Sequence, residues 1–276
     1  MSEPLISIIT INLNNASGLE ASVKSVIHQT FKNFEFIIID GASKDESLKV
    51  IDAYKIHFAY TISEKDNGIY EAMNKGIRAA KGNYLLFLNS GDCLIDEQVL
   101  MKMSPYLNDL DIISGDIKIE DKLGHIRDCS SHEQISLDFF LNISLYHQAT
   151  FISKKLFYNF GFYNEGFKLV GDYEFFIRVF FKHNASYLHI PFFIAFFKED
   201  GMSNNPDYLK INKTENDRAW LMNVSERVFQ LLKEGQDFKS STVYWLYHKT
   251  KKSSLYKYFF GFIYFVRTSI YRFLKK

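Results

Sequence analysis

Residues 63–92, SEKDNGIYEAMNKGIRAAKGNYLLFLNSGD, decide the fold. They read as loop, helix, strand and then an acidic turn. Asp66-Asn67-Gly68 is turn chemistry, and Ile69, Met73, Ile77 and Ala80 recur at helical spacing along one face of the next segment. Gly82 stops the helix. Asn83 to Leu88 is then a nearly continuous apolar run, with the length and composition of a strand buried on both faces. A buried strand that ends in Asn89-Ser90-Gly91-Asp92 delivers a polar turn and a carboxylate to the C-terminal edge of a sheet. That edge is where open α/β sheets bind ligands.

Toward the N-terminus the same unit repeats. Leu5 to Ile11 is a β-branched strand followed by the polar loop Asn12-Leu13-Asn14-Asn15 and a helix to His28. Phe34 to Ile39 is a second strand, ending in Asp40-Gly41-Ala42-Ser43-Lys44-Asp45, with a helix from Glu46 to about Ile56 and a short third strand over Phe58 to Ile62. This alternation predicts a parallel sheet with helices on both faces. Parallel strands bring their polar ends to one edge, so Thr10 and Asn12, Asp40 and Asp45, and Asn89 and Asp92 converge. For any one of them the plain alternative is a cap on the next helix.

Toward the C-terminus the pattern turns mixed. Asp111 to Ser114 reads as a strand, the residues through Asp128 as an antiparallel excursion turning near Gly124, and Tyr146 to Ser153, with His147, as another strand. Val170-Gly171-Asp172-Tyr173-Glu174 opens a helix to about Lys182, and strands are expected over Tyr187–His189 and Phe192–Phe197. Glu199 to Asn205 is a small, polar loop with the composition of a lid.

Composition bounds the class. With 276 residues and 47% hydrophobic content, the chain can bury one large α/β core with an appendage. Cys93 and Cys129 have neither metal spacing nor a disulfide framework, which suits a reducing compartment. The start, MSEPLISIITIN, goes straight into a strand without a basic leader, so secretion is not expected. No G-x-G-x-x-G follows the first strand and no G-x-x-x-x-G-K-[ST] occurs, which leaves neither a dinucleotide fingerprint nor a P-loop.

Three blocks, SIITINLNN, IIIDGASKD and DNGIYEAMNKGIRAAKGNYLLFLNSGD, together resemble the nucleotide-sugar-binding half of the family 2 glycosyltransferases. The likeness runs in register over about residues 5–95 and more loosely to about 200. It implies an α/β GT-A fold, a Rossmann-like mixed sheet flanked by helices with a C-terminal helical appendage. Residues 1–204 would form the catalytic domain, with 1–95 as the nucleotide half and 96–204 as the acceptor half. The implied reaction is inverting transfer of a sugar, with UDP the favoured nucleotide, to a saccharide or lipid-linked saccharide hydroxyl in bacterial surface-polysaccharide synthesis, such as lipopolysaccharide.

The resemblance also implies roles. Asp40 takes the base, with Thr10, Asn12, Asp66 and Asn89 around the donor. Lys75 and Arg78 are the cations offered to the diphosphate. Asp92 holds a divalent cation, Mn²⁺ or Mg²⁺. His147 is a further donor- or acceptor-site candidate, against the plain reading of a structural histidine. Asp172 is the general base that deprotonates the acceptor hydroxyl as it attacks the anomeric carbon, against the plain reading of a helix cap. Gly171 precedes Asp172 where another acid is usual, and where many relatives carry two adjacent acids in the strand-four turn this chain has Gly91 before Asp92 and Asn89 where an acid is common. That departure keeps a catalytically silent nucleotide-sugar binder, or a membrane-associated scaffold, as the rival.

Residues 205–276 stand apart. From Phe238 onward there are Lys and Arg but no Asp or Glu. Helices are expected over Asp207–Leu232, Lys239–Lys251 and Ser254–Lys276, the last with an apolar side of Leu255, Phe259, Phe262, Ile263, Val266, Ile270, Phe273 and Leu274. The run Tyr258–Val266 is too short to span a bilayer, so an in-plane helix on an anionic membrane surface is expected, placing the protein on the cytoplasmic face; the plain alternative is a helix whose apolar side packs on the catalytic domain or on a second subunit. So much Phe and Ile has no reason to face phosphate, which argues against nucleic acid.

Overall fold

The computed structural model describes residues 3–199 and 209–240. The chain separates into two compact units, residues 1–224 and 225–276. In the first, β1 (Ile6–Asn12), α1 (Ala16–Ile27), β2 (Phe34–Asp40), α2 (Ser47–Ala53), β3 (Tyr60–Ser63), α3 (Ile69–Ala79) and β4 (Tyr84–Phe87) make the repeating half. The mixed half continues as β5 (Cys93–Leu94), α4 (Val99–Met103), β6 (Ile112–Glu120), β7 (Ile126–Cys129), α5 (Leu137–Asn142), β8 (Thr150–Ser153), α6 (Lys154–Phe160), α7 (Gly171–Ile177), β9 (Tyr187–Lys198) and α8 (Leu209–Asn223).

One sheet runs through both halves in the order β3-β2-β1-β4-β8-β6-β9-β5, with β7 paired to β6. The first four strands are parallel, and β8 joins β4 antiparallel. Alternate residues of β1 feed opposite faces. Ile6 and Ile8 pack with Leu19, Val23 and Val26 of α1. Ile9 meets α3, where a Cβ on Gly76 would stand 2.4 Å from Ile9 Cγ2. Helices therefore cover both faces, which is why the strands read as continuous apolar runs.

Three elements differ from the sequence expectation. His147 lies on a 3-10 turn, His147–Ala149, and not within a strand; Ala149 N–H donates to Tyr146 O, and strand pairing begins only at Thr150. The two strands expected between 187 and 197 are one, β9. Its register against β6 shifts between Ser114 and Asp116, opposite Pro191, whose missing N–H suits a bulge in a continuous strand. The helix expected from Asp207 to Leu232 breaks at Val224–Ser225.

The second unit is described over α9 (Glu226–Ser240), where Phe229 N–H returns to Ser225 O. The remainder of the helices expected over 239–251 and 254–276, and most of the loop over 199–205, lie outside the described residues. Among the described residues no helix is long and apolar enough to cross a membrane.

Candidate active site

Register builds the first part of the site. Asn12 pairs with Asp40 across β1 and β2, and Asp40 with Ser63 across β2 and β3, so three polar side chains stand in a row at the strand ends. Asp40 is fully buried. Its Oδ1 accepts from Asn12 Nδ2 (2.8 Å) and Ser43 Oγ (2.5 Å), and its Oδ2 from Ser43 N–H (3.0 Å) and Ser63 Oγ (2.6 Å). Burial pushes the Asp40 pKa up, but these bonds from Ser43, Ser63 and Asn12 outweigh it and hold the carboxyl below its usual value. Both oxygens already have two donors from this chain, so the carboxylate fixes the 40–43 loop, in which Ala42 adopts φ +61°.

Next to the row, Asp66 reaches over the same loop: its Oδ2 lies 3.2 Å from where a Cβ on Gly41 would stand. Its Oδ1 takes Lys75 Nζ at 2.6 Å. Lys75 is also held by Glu64 at 2.7 Å and Glu71 at 3.5 Å; desolvation pulls its pKa down, but the carboxylates pull harder and raise it. It is thus tethered among acids. Arg78 lies in the last turn of α3, away from the strand ends, where it covers the Phe162 ring and stands 3.9 Å from Glu165. Thr10 is buried and donates its hydroxyl to Leu88 O at 2.6 Å, tying β1 to the end of β4.

The acidic turn after β4 is held by the start of α1. Asn15, which caps α1 through Gly18 N–H, donates to Ser90 O (3.0 Å). Ser22 Oγ accepts Gly91 N–H (2.9 Å). Gly91 has φ +104°, where any side chain is strained, so a second acid at this position conflicts with the turn. Asp92 is buried, and its N–H returns to Asn89 O.

Among the described residues no cluster of three or more His, Cys, Asp or Glu could hold a metal ion. A divalent ion at a diphosphate asks for less, one or two carboxylates with phosphate oxygens and waters completing the shell. One buried carboxylate on a rigid turn fits that case.

Asp172, at the start of α7, connects to this turn through side chains. Tyr70 Oη donates to its Oδ1 at 2.9 Å, and His147 Nδ1 lies 3.2 Å from its Oδ2. His147 Nε2 in turn stands 3.2 Å from Asn89 Nδ2. Tyr70, Asp172, His147 and Asn89 thus form one chain of contacts across four segments. Gly171 makes it fit: a Cβ there would meet the Tyr70 ring at 2.8 Å.

Burial drives the Asp172 pKa up, but the hydrogen bond and charge of His147, with Tyr70, win and hold it below the usual carboxylate value. For His147, burial pulls down while the Asp172 bond, its charge and that of Asp92 pull harder and raise it. Neutral His147 accepts from the Asn89 amide; protonated His147 would be met by the same amide rotated, which gives Asn89 Oδ1, buried without a partner, a donor. The Asp172 side chain keeps 19% exposure, so the carboxylate is held and still open.

The family model for glycosyl transferase family 2 matches residues 7–170. The chain belongs to glycosyl transferase family 2. Relatives include a PGL/p-HBAD biosynthesis glycosyltransferase of Mycobacterium bovis, 30% identical over 74% of this chain and 81% of its own. An uncharacterized glycosyltransferase of Mycobacterium tuberculosis is 33% identical over 64% of this chain and 69% of its own. Among solved structures, S. aureus TarS 1–349 in complex with UDP-GlcNAc aligns with a TM-score of 0.63 at 17% identity, over 90% of this chain and 76% of that one. The mannosyltransferase PcManGT from Pyrobaculum calidifontis, in complex with GDP-Man and Mn²⁺, aligns at 0.55 and 13% identity, over 88% and 83%. The protein is a family 2 glycosyltransferase with the GT-A fold.

For this family 2 chain the structure gathers Asn12, Asp40 and Asp66 at one end of the strand edge, and Asn89, Asp92, His147 and Asp172 at the other. It leaves Arg78 apart and turns Thr10 and Lys75 inward to side-chain and backbone partners. Ser43, Ser63 and Tyr70 belong to the site but were not singled out from the sequence. Ser63 ends its strand in register with Asp40, and Tyr70 lies in the first turn of a helix that starts at the sheet edge; both positions are readable signals.

Proposed function

We propose that this enzyme transfers a sugar from a nucleoside diphosphate, UDP in the first instance, to a hydroxyl of a saccharide or lipid-linked saccharide, with inversion at the anomeric carbon. One observation carries the reading: Asp172 is partly exposed and clasped by Tyr70 and His147, which hold its pKa below the usual carboxylate value, and His147 in turn touches the turn that bears Asp92. In one displacement Asp172 takes the acceptor proton while the acceptor oxygen attacks opposite the leaving diphosphate. An α-linked donor then gives a β-linked product.

Asp40, with Asn12, Ser43 and Ser63, shapes the floor of the nucleoside pocket, and Asp66 over Gly41 is the carboxylate offered to the nucleoside. Asp92 would hold Mn²⁺ or Mg²⁺, which when bound screens charge on the diphosphate. UDP and a metal are supported by the neighbours, TarS being solved with UDP-GlcNAc and PcManGT with GDP-Man and Mn²⁺. A surface-glycolipid or polysaccharide acceptor at the inner membrane face is supported by a relative named for PGL/p-HBAD biosynthesis and by the basic, aromatic sequence after Phe238.

Calorimetric titration with UDP, GDP and dTDP, each with and without Mn²⁺, tests the donor site. UDP binding that needs the metal and is lost in Asp92→Ala is the expected result. Failure of all three nucleotides under both conditions would discard the reading.

A further inference from the structure

The backbone that carries Asp172 has an unusual support. α7 opens on Val170, which has no side chain able to accept the first N–H groups of the helix, and no side-chain cap is formed locally. The stretch that leads into the helix, residues 168–170, is held from α8 instead. Glu215, 8% exposed, takes Lys168 N–H on Oε1 (2.8 Å) and Leu169 and Val170 N–H on Oε2 (2.9 and 3.3 Å).

The rest of α8 grips the same stretch. Arg218 donates to Gly166 O (3.2 Å) and lies over the Phe167 ring, Trp220 Nε1 donates to Tyr173 Oη (2.8 Å), and Asn223 Nδ2 to Glu174 Oε1 (2.9 Å). Contacts therefore run along both sides of Asp172, from residue 166 to 174, while Asp172 itself is left to Tyr70 and His147. Both α7 and α8 lie beyond residue 170, where the family match ends.

We infer that Glu215 is a positioning residue for Asp172: its carboxylate pins the 168–170 backbone that leads into α7 and so sets where the Asp172 side chain meets His147 and the acceptor hydroxyl. The inference rests on the reading of Asp172 as the base, but its geometric content is separate from that reading. A buried carboxylate binding three consecutive N–H groups fixes the loop in one conformation, and a base held an ångström away from its productive position loses one to two orders of magnitude in rate. Glu215→Gln keeps the volume and one acceptor oxygen, so it preserves part of the clasp. Glu215→Ala removes all of it.

The test uses the full chain and reads the His147 imidazole by ¹⁵N–¹H correlation at one fixed pH. Asp172→Asn provides the reference displacement, because it removes the anionic partner of Nδ1. The expected result is that Glu215→Ala moves the His147 signals in the direction set by Asp172→Asn, Glu215→Gln moves them less, and amide exchange at 168–170 speeds up in the same order. If donor turnover can be followed, kcat falls about 30-fold in the alanine variant with the KM for the nucleotide sugar within twofold.

Unmoved His147 signals, in a folded Glu215→Gln or Glu215→Ala protein whose 168–170 amides do exchange faster, would overturn the inference and leave Glu215 a local brace. Should Asp172→Asn turn out fully active, the base assignment fails, yet the His147 signals still report whether Glu215 sets the position of residue 172.

Discussion

The two ends of the strand edge solve different problems with the same kind of residue. At the β2 end, Asp40 receives four hydrogen bonds from neighbours in strand register or in its own loop, and is fully buried. At the other end, Asp172 is met by Tyr70, 102 residues away, and His147, 25 residues away, and stays partly exposed. One carboxylate has each oxygen met twice by this chain's own donors, and the other keeps an exposed side; the count of donors already on the oxygens is what separates the two.

That contrast predicts unlike consequences of removing each group. The largest effect is expected for Asp172→Asn: kcat about 10²- to 10⁴-fold down, with UDP affinity by calorimetry close to wild type. Loss of UDP binding instead would merge the two ends into one donor site. Asp40→Ala should do the reverse. It strands Asn12, Ser43 and Ser63 donors in the interior and is expected to cost about 3 kcal/mol in denaturant unfolding. An Asp40→Ala protein of normal stability that fails to bind UDP would show that Asp40 faces the ligand after all.

Smaller effects sharpen the second end. Gly171→Ala puts a methyl group against the Tyr70 ring and should displace the Tyr70–Asp172 bond, lowering kcat about tenfold at a stability cost of about 1–3 kcal/mol. Tyr70→Phe removes only that hydrogen bond, one of those lowering the Asp172 pKa, so the acid limb of kcat should move to higher pH. An unshifted limb would mean that Tyr70 only packs.

The mildest test is stability against pH. Asp172 has a depressed folded pKa, so its contribution is present above the unfolded value and lost as pH falls through the folded one. His147 has a raised folded pKa, so its contribution is complete below the unfolded value and lost as pH rises through a folded value above 6.5. The pair therefore stabilises most between those limits, and Asp172→Asn should flatten the alkaline side of a Tm-against-pH curve.

The same contrast sets how much was legible beforehand. The repeating half comes from local pattern: apolar runs, turn residues and helical spacing place Asn12, Asp40 and Asp92 at strand ends, and parallel pairing then brings them to one edge. Asp172 was readable through its resemblance to a family position. Its partners were not, because Tyr70–Gly171 and Glu215–Lys168 are contacts across packed helices, and no periodicity within one segment encodes which helix it will meet. His147 was expected on a strand because all of Tyr146–Ser153 was read as one; a tight turn whose hydrogen bond closes on Tyr146 O took the first residues. Lys75 and Arg78 looked alike as cations on one helix, yet three nearby acids captured the first and the last turn carried the second away from the edge.

The position of Glu215 in the chain also bears on synthesis. Protein emerges from the ribosome N-terminus first, and domains form as their parts become available. β1 to β4 and the turn at Asp92 belong to the first third of the chain, whereas the carboxylate that pins the approach to the Asp172 helix comes only after β9. A nascent chain can thus assemble the Asn12–Asp40–Ser63 row well before the backbone under Asp172 is set in place. The order of translation separates the completion of the two ends of the edge.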